Sequence, residues 1–256
     1  MRRNWQRDPE RGLWLPDRRV MPYAPRAPEW GGGLGPRRAA APSAGVSVLQ
    51  VQATGNNASG AGGPYNWFVP TSNLTPGSTL AIGAWNDAGT DGWTAVADAT
   101  NGSWTKTLAY NGSSSGYLFW WTLKNNSSSG QPQVTLTFTD TTNKHNGVFI
   151  EIGGANTTAP VETTAHYETS YGDPIFTGSV TTSNSDIILG FAANSAKNSG
   201  LGSAGAGTGY TLVNFTGDMD FTGLLYTAAS VAAGTYNPAY ASTLNAFSGI
   251  TMAIQP

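Results

Sequence analysis

His145 and His166 are the only imidazoles in this chain of 256 residues, and cysteine is absent. Without cysteine there is no thiol nucleophile, no disulfide and no zinc–thiolate site. The two histidines stand in neither an HxH nor an HExxH spacing, so they read as surface or strand-edge side chains and not as metal ligands. No GxSxG elbow, GxxxxGK[ST] loop or dinucleotide glycine fingerprint occurs. Gly31-Gly32-Gly33 and the run Gly200–Gly209 lack the strand-to-helix setting of such loops and read as linker and hairpin loop.

Carboxylates offer the best enzymatic case. Glu151, followed by Glu162 and Glu168, has the residue types for the acid and nucleophile of a glycoside hydrolase. In Phe149-Ile150-Glu151-Ile152, however, Glu151 alternates with apolar neighbours and is expected on a half-solvated strand face. Asp218-Met219-Asp220, and Asp87 with Asp91, could offer loop oxygens to calcium, but a short DxD without further ligands is a weak signal. No catalytic residue, cofactor or metal is therefore assigned. Trp67, Trp85, Trp93, Trp104, Trp120 and Trp121 raise a different possibility, aromatic faces stacked on sugars. Trp120 and Trp121 are adjacent, so on a strand one faces the core and the other faces out, where a neighbouring subunit or the N-terminal segment could cover it.

The elements that must position these residues are strands. Gln133–Phe138 alternates Val134, Leu136 and Phe138 with polar residues, and Gly147–Ile152 alternates Val148, Ile150 and Ile152. Further strands are expected at Val46–Gln52, Thr79–Asn86, Ser103–Ala109, Tyr117–Lys124, Val161–Glu168, Ile175–Val180, Asp186–Ala193, Tyr210–Phe215, Thr222–Ala229, Thr235–Ala241 and Ile250–Gln255, separated by turn-rich gaps. No stretch has helical periodicity. A weak internal echo relates Ser78–Asn86 to the segment starting at Ser185, and Tyr117-Leu118-Phe119 to Leu224-Leu225-Tyr226, at an offset near 107 residues. The offset then drops to about 102, relating Val134 to Tyr236 and Val148 to Ile250.

The first 45 residues follow other rules. Arg2, Arg3, Arg7, Arg11, Arg18, Arg19, Arg26, Arg37 and Arg38 are all the arginines in the chain, and against four acidic residues they give this segment a charge of +5. The remainder sets four lysines against eleven acidic residues, a charge of −7. Prolines at 9, 16, 22, 25, 28, 36 and 42 interrupt every helical window. An extended, Pro/Arg-rich arm over 1–45 is therefore expected ahead of a single domain over 46–256. Arginine without lysine suits bidentate pairing at a protein interface. With Trp5, Trp14, Tyr23 and Trp30 the arm carries the residue types of interface hot spots. Interleaved acidic residues dilute a phosphate-tracking signal, so nucleic acid is the weaker candidate. Met1-Arg2-Arg3 is not followed by the apolar stretch of a signal peptide, and no window approaches the roughly 20 apolar residues of a membrane span, so synthesis in a cytoplasm is expected.

The segments LTPGSTLAIGAW, SWTKTLAY, GYLFWWTL, QPQVTLTFT, GVFIEIGGAN, TTSNSDIILGFA and AAGTYNP, with a closing apolar strand, resemble the jelly-roll, concanavalin-like sandwich domains of bacterial surface proteins and tailed-phage virion proteins. The likeness covers residues 46–256, leaves the arm outside, and rests on strand and turn residues, which speak to fold and not to function. It implies an all-β, jelly-roll-like antiparallel two-sheet sandwich. The arm's charge and anchor pattern, together with the absence of export and catalytic signals, gives the expectation of a non-enzymatic structural protein on a virion surface, such as a capsid decoration or cement protein. The arm residues named above would dock it onto a major capsid or other lattice protein, with a homo-oligomer as a further option. Two alternatives stand beside it: a glycan-binding module of a phage fibre or bacterial surface protein, and, less supported, a glycan-active enzyme.

Overall fold

The structure is a computed structural model that describes residues 5–7, 14–16, 45–53, 63–86, 91–112, 116–138, 145–169, 175–193, 205–214, 222–241 and 247–256. Residues 1–41 and 42–256 form two separate units. In the first, β1 (Trp5–Arg7) and β2 (Trp14–Pro16) pair antiparallel, with Trp5 opposite Pro16 and Arg7 opposite Trp14. Of the extended arm expected over 1–45 only these two tripeptides are described, and Pro16 sits where their ladder ends.

Among its described residues the second unit is all-β, and every strand pair is antiparallel. Its first half runs β3 (Ser47–Ala53), β4 (Gly63–Phe68), β5 (Thr79–Asn86), β6 (Trp93–Asp98), β7 (Gly102–Ser103), β8 (Thr105–Gly112), β9 (Gly116–Leu123), β10 (Val134–Phe138) and β11 (His145–Gly153). The second half runs β12 (Val161–Thr169), β13 (Ile175–Phe176), β14 (Val180–Thr182), β15 (Ile187–Ala193), β16 (Gly205–Ala206), β17 (Thr211–Asn214), β18 (Thr222–Tyr226), β19 (Gly234–Tyr236), β20 (Ala239–Ala241) and β21 (Phe247–Ile254). Among the described residues no helix is long and apolar enough to cross a membrane.

Two five-stranded sheets, β3-β11-β5-β9-β8 and β12-β21-β15-β18-β17, pack face to face. Ala81, Trp85, Leu118, Trp120, Val148 and Ile150 of one interlock with Leu189, Phe191, Leu224, Ile250 and Met252 of the other. Each sheet is also covered on its outer face. Over the first lies the sheet β4-β10-β6-β7, burying Phe68, Trp93, Val96, Val134 and Leu136 against Leu80, Ile82, Phe119, Trp121 and Phe149. Over the second lie the short ladders β13-β20-β16 and β14-β19. The expected two-sheet sandwich is thus the centre of a four-layer stack. That is why all eight residues of β5, all seven of β15 and all eight of β21 are buried: a sheet covered on both faces has no solvent side to alternate toward.

The two central sheets have the same strand order when β3, β11, β5, β9 and β8 are replaced by β12, β21, β15, β18 and β17. The outer ladder β4-β10-β6 likewise becomes β13-β20-β16. Pairing registers fix the correspondence residue by residue. Ile152 lies opposite Thr79, and Ile254 opposite Ile187, so β5 maps onto β15 at 108 residues and β11 onto β21 at 102. The sequence echo at 102 from Val148 to Ile250 coincides with this register. The echo at 107 does not, because an odd offset exchanges the two faces of a strand. At 108, the inward Ala81, Gly83 and Trp85 fall on the inward Leu189, Phe191 and Ala193.

Candidate functional site

At one end of the central sheets the chain turns back through short connections that are hydrogen-bonded to carboxylates. Glu151, expected on a half-solvated face, is 1% exposed. It does point away from the inter-sheet core, but the outer face of its sheet is covered by the segment before β5. There it accepts hydrogen bonds from the Thr75 amide and from Gln50 Nε2, both at 2.6 Å. Gln50 Oε1 in turn accepts from the Ser72 amide and the Thr71 hydroxyl, each at 3.3 Å. Asp98 plays the same part after β6, accepting from the Thr100 and Asn101 amides at 2.9 and 2.8 Å and from Trp104 Nε1 at 2.9 Å. Glu162 does so in the second half, accepting from the Ser183 amide at 2.6 Å and the Ser183 hydroxyl at 2.5 Å. These donors hold the Glu162 carboxyl down at about 2. Glu151 and Glu162 are therefore structural clamps committed to backbone donors, and Glu168 lies elsewhere.

Glu168 stands at the seam where β8 of the first half meets β12 of the second. The Tyr110 ring stacks on His166, centroids 4.1 Å apart at 22°, and its hydroxyl donates to Glu168 Oε2 at 3.3 Å. Burial first, then the Glu168 carboxylate, pushes the Tyr110 phenol upward. His166 is exposed, as expected of a strand-edge residue, whereas His145 is buried with its ring 5.9 Å from Trp93. Groups of three or more His, Cys, Asp or Glu that could hold a metal ion are absent among the described residues.

The tryptophans are placed differently from a sugar-stacking platform. Trp85, Trp93, Trp104, Trp120 and Trp121 are all buried. Trp120 faces the inter-sheet core, and Trp121 faces out, but its cover is the β4-β10-β6-β7 sheet of the same chain and not a neighbouring subunit. For Trp67 only the strand backbone is described. Asp91, a candidate calcium ligand, is paired with Lys106 Nζ at 2.9 Å, while Asp87, Asp218 and Asp220 lie outside the described residues.

Of the docking residues expected in the arm, Trp5, Arg7 and Trp14 are placed in the β1–β2 ladder by backbone register. Arg2, Arg3, Arg11, Arg18, Arg19, Tyr23, Arg26, Trp30, Arg37 and Arg38 lie outside the described residues. Sequence reasoning missed Asp98 and Asp186, the other carboxylates buried at the turn end. A signal was present for Asp98, since Asp-Ala-Thr-Asn-Gly is an Asx-turn pattern. Asp186, just ahead of an apolar strand, carried none. The sequence matches no protein-family model and no curated protein, and the fold matches no solved structure.

Proposed function

We propose that the chain is a non-enzymatic structural protein of a virion, a decoration or cement protein. Its jelly-roll-like body is carried on the particle by the arginine- and tryptophan-bearing segment 1–45, which docks on a lattice protein. The observation that carries this reading is the partition of charge: nine arginines in the first 38 residues and none afterwards, ahead of a body of charge −7. Guanidinium groups interleaved with tryptophans suit a desolvated protein interface rich in carboxylates. The chemistry of the body supports the same assignment, since Glu151, Asp98 and Glu162 bind turn amides and five tryptophans fill the cores. A segment that binds along many identical lattice subunits offsets its ordering cost through repeated contacts.

The test is deletion of residues 1–45 followed by purification of particles assembled in the presence of the truncated chain. The body is expected to fold and to be missing from the particles; incorporation at normal occupancy would overturn the reading.

One feature favours glycan binding as a second reading. Tyr167 on the edge strand β12 is 39% exposed and meets the Phe176 ring edge-on at 5.8 Å, an orientation that leaves an aromatic face available for stacking. A glycan array probed with the full chain and with Tyr167→Ala decides it: binding that depends on Tyr167 supports this reading, and an unresponsive array removes it.

A further inference from the structure

Gly83 and Phe191 occupy equivalent positions in the two halves, and they meet. β5 and β15 are the middle strands of the two central sheets, and the pairing registers relate them at 108 residues, which places Gly83 on Phe191. An added Cβ at Gly83 would stand 3.2 Å from Phe191 Cδ2, so the ring lies against the Gly83 backbone. Residues related by a two-fold operation touch each other only beside the axis. The pseudo-two-fold axis of the duplicated fold therefore passes between β5 and β15 at this level, through the centre of the inter-sheet core.

The two halves place unequal residues at this axis. Gly83 leaves a hole in the face of the first half, and the Phe191 ring of the second half fills it. Beside the hole, Gly83 is paired with Trp120, whose ring meets Phe191 edge-on at 6.1 Å. The equivalent partner of Phe191 is the smaller Leu224. One inward position further along, the inequality reverses, since Trp85 of the first half corresponds to Ala193 of the second. Trp85, Trp120, Phe191, Ala193 and Leu224 are all buried. Glycine inside a strand packs nothing of its own and marks a close approach from the opposite layer.

We propose that the inter-sheet face is a specificity surface, on which each half is shaped to dock the other half and to refuse a second copy of itself. In a pair of first halves Gly83 would face Gly83, and the space taken by the Phe191 ring would be a cavity. In a pair of second halves Phe191 would face Phe191, with two rings where one fits. Both wrong pairs carry a penalty that the mixed pair escapes, and discrimination rests on that difference. Hydrogen bonds at the rim, from the Ser230 amide to Val46 O at 3.2 Å and from Asn146 Nδ2 to Thr222 Oγ1 at 3.3 Å, add to the same join. Two halves with one strand order are thereby kept from pairing like with like between chains during assembly, whatever the folded chain is then used for.

The connection over residues 154–160 gives the place to test this. Thr157 and Thr158 are exposed, and Asn156 Oδ1 accepts from the Thr158 and Ala159 amides at 2.9 Å each. A protease site inserted between Thr157 and Thr158 of the full chain, and cut after folding, should leave a one-to-one complex of the two fragments on native mass spectrometry. The fragments are then separated in urea and returned to buffer alone and mixed. The mixture should regain the one-to-one complex. Self-pairs of either fragment should be weaker by about a hundredfold or more, the ratio that loss of a ring-sized core contact implies. Phe191→Ala, introduced before cleavage, should weaken the mixed pair by a similar factor. A self-pair of either fragment as tight as the mixed pair overturns the proposal. So does a mixture that does not reassemble, and so does an unchanged affinity in Phe191→Ala.

Discussion

Leu49 and Glu162 occupy one structural position in two copies: each is the unpaired residue of a β-bulge on the outermost strand of its sheet. In the first half Val48 and Gln50 lie opposite Ile152 and Glu151, skipping Leu49. In the second, Val161 and Thr163 lie opposite Ile254 and Ala253, skipping Glu162. A bulge is a local defect with a specific place in the ladder, and its recurrence at the same place adds to the shared strand order as a mark of duplication. The two copies have since diverged in use. Leu49 packs over Gly153, whose added Cβ would meet Leu49 carbons at 3.0 to 3.2 Å, whereas Glu162 clamps the turn before β15. Glu162→Leu should therefore lower Tm measurably, by release of the Ser183 donors, while Leu49→Glu, at a position 46% exposed, should leave Tm nearly unchanged.

The centre of the stack depends on a glycine. An added Cβ at Gly83 would stand 3.0 Å from Trp120 Cζ3 and 3.2 Å from Phe191 Cδ2, and Trp120 meets the Phe191 ring edge-on at 6.1 Å. Gly83→Ala is expected to cost about 1–3 kcal/mol by overpacking. Trp120→Ala should cost about 3–5 kcal/mol through the cavity it leaves. Combining Gly83→Ala with Trp120→Phe should be less harmful than the separate effects imply, because the smaller ring makes room for the methyl. Urea unfolding of Gly83→Ala, Trp120→Phe and the double variant checks this; additive losses would show that the two positions do not compete for the same space.

Much of this fold was legible in the sequence, and the failures share one cause. Thr79–Asn86 was expected with its observed bounds, and Val134–Phe138 and Val161–Thr169 within a residue. Gly63–Phe68 and Trp93–Asp98 were not expected, since Pro64 and Asn66 interrupt the first and alanines dilute the second. With that covering sheet unforeseen, the outward side of β11 reads as a half-solvated face for Glu151, and the outward one of Trp120 and Trp121 reads as awaiting cover from a neighbouring subunit or the arm. Alternation reports which side a residue faces, but not whether that side is covered. The buried donors around Glu151 come from residues 71–75 and Gln50, far away in sequence, and no local pattern announces them.

Glu151 supplies a direct test of a clamp against a catalytic carboxylate. Glu151→Ala strands the Thr75 amide and leaves Gln50 Nε2 with Ser72 O alone, which should cost about 1–3 kcal/mol. Glu151→Gln keeps one acceptor and should cost less. Both losses appear in denaturant unfolding. Polysaccharide turnover by the wild-type chain that disappears in a folded Glu151→Gln variant would show instead that the carboxylate does chemistry.

The seam between the halves rests in part on Tyr110 stacked over His166. A double-mutant cycle with Tyr110→Ala and His166→Ala is expected to return a coupling of about 0.5–1.5 kcal/mol, the usual range for an aromatic pair. Tyr110→Phe keeps the stack and removes the hydrogen bond to Glu168, so it should lose less than Tyr110→Ala. A coupling near zero would mean that this stack adds nothing to the inter-sheet core and to the Ser230–Val46 and Asn146–Thr222 hydrogen bonds that also join the halves.

The arm makes its own prediction through the chemistry of arginine. Replacing all nine arginines of residues 1–38 by lysine leaves the charge of the segment unchanged. It removes the planar fork that pairs bidentately with carboxylates and stacks on aromatic rings. If attachment were a matter of net charge, the lysine variant would join particles as well as the natural chain, and both would be released by salt along the same curve. If attachment depends on guanidinium geometry at a desolvated interface, the lysine variant should be incorporated poorly even at low salt. Tryptophan separates the two cases further: Trp5→Ala with Trp14→Ala leaves every charge in place and should still reduce occupancy, because aromatic anchors and arginines act together at interface hot spots. Quantifying the chain in purified particles across a salt series reads all three variants at once. Equal occupancy for the natural and all-lysine chains would remove the guanidinium-specific contact and leave an electrostatic tether.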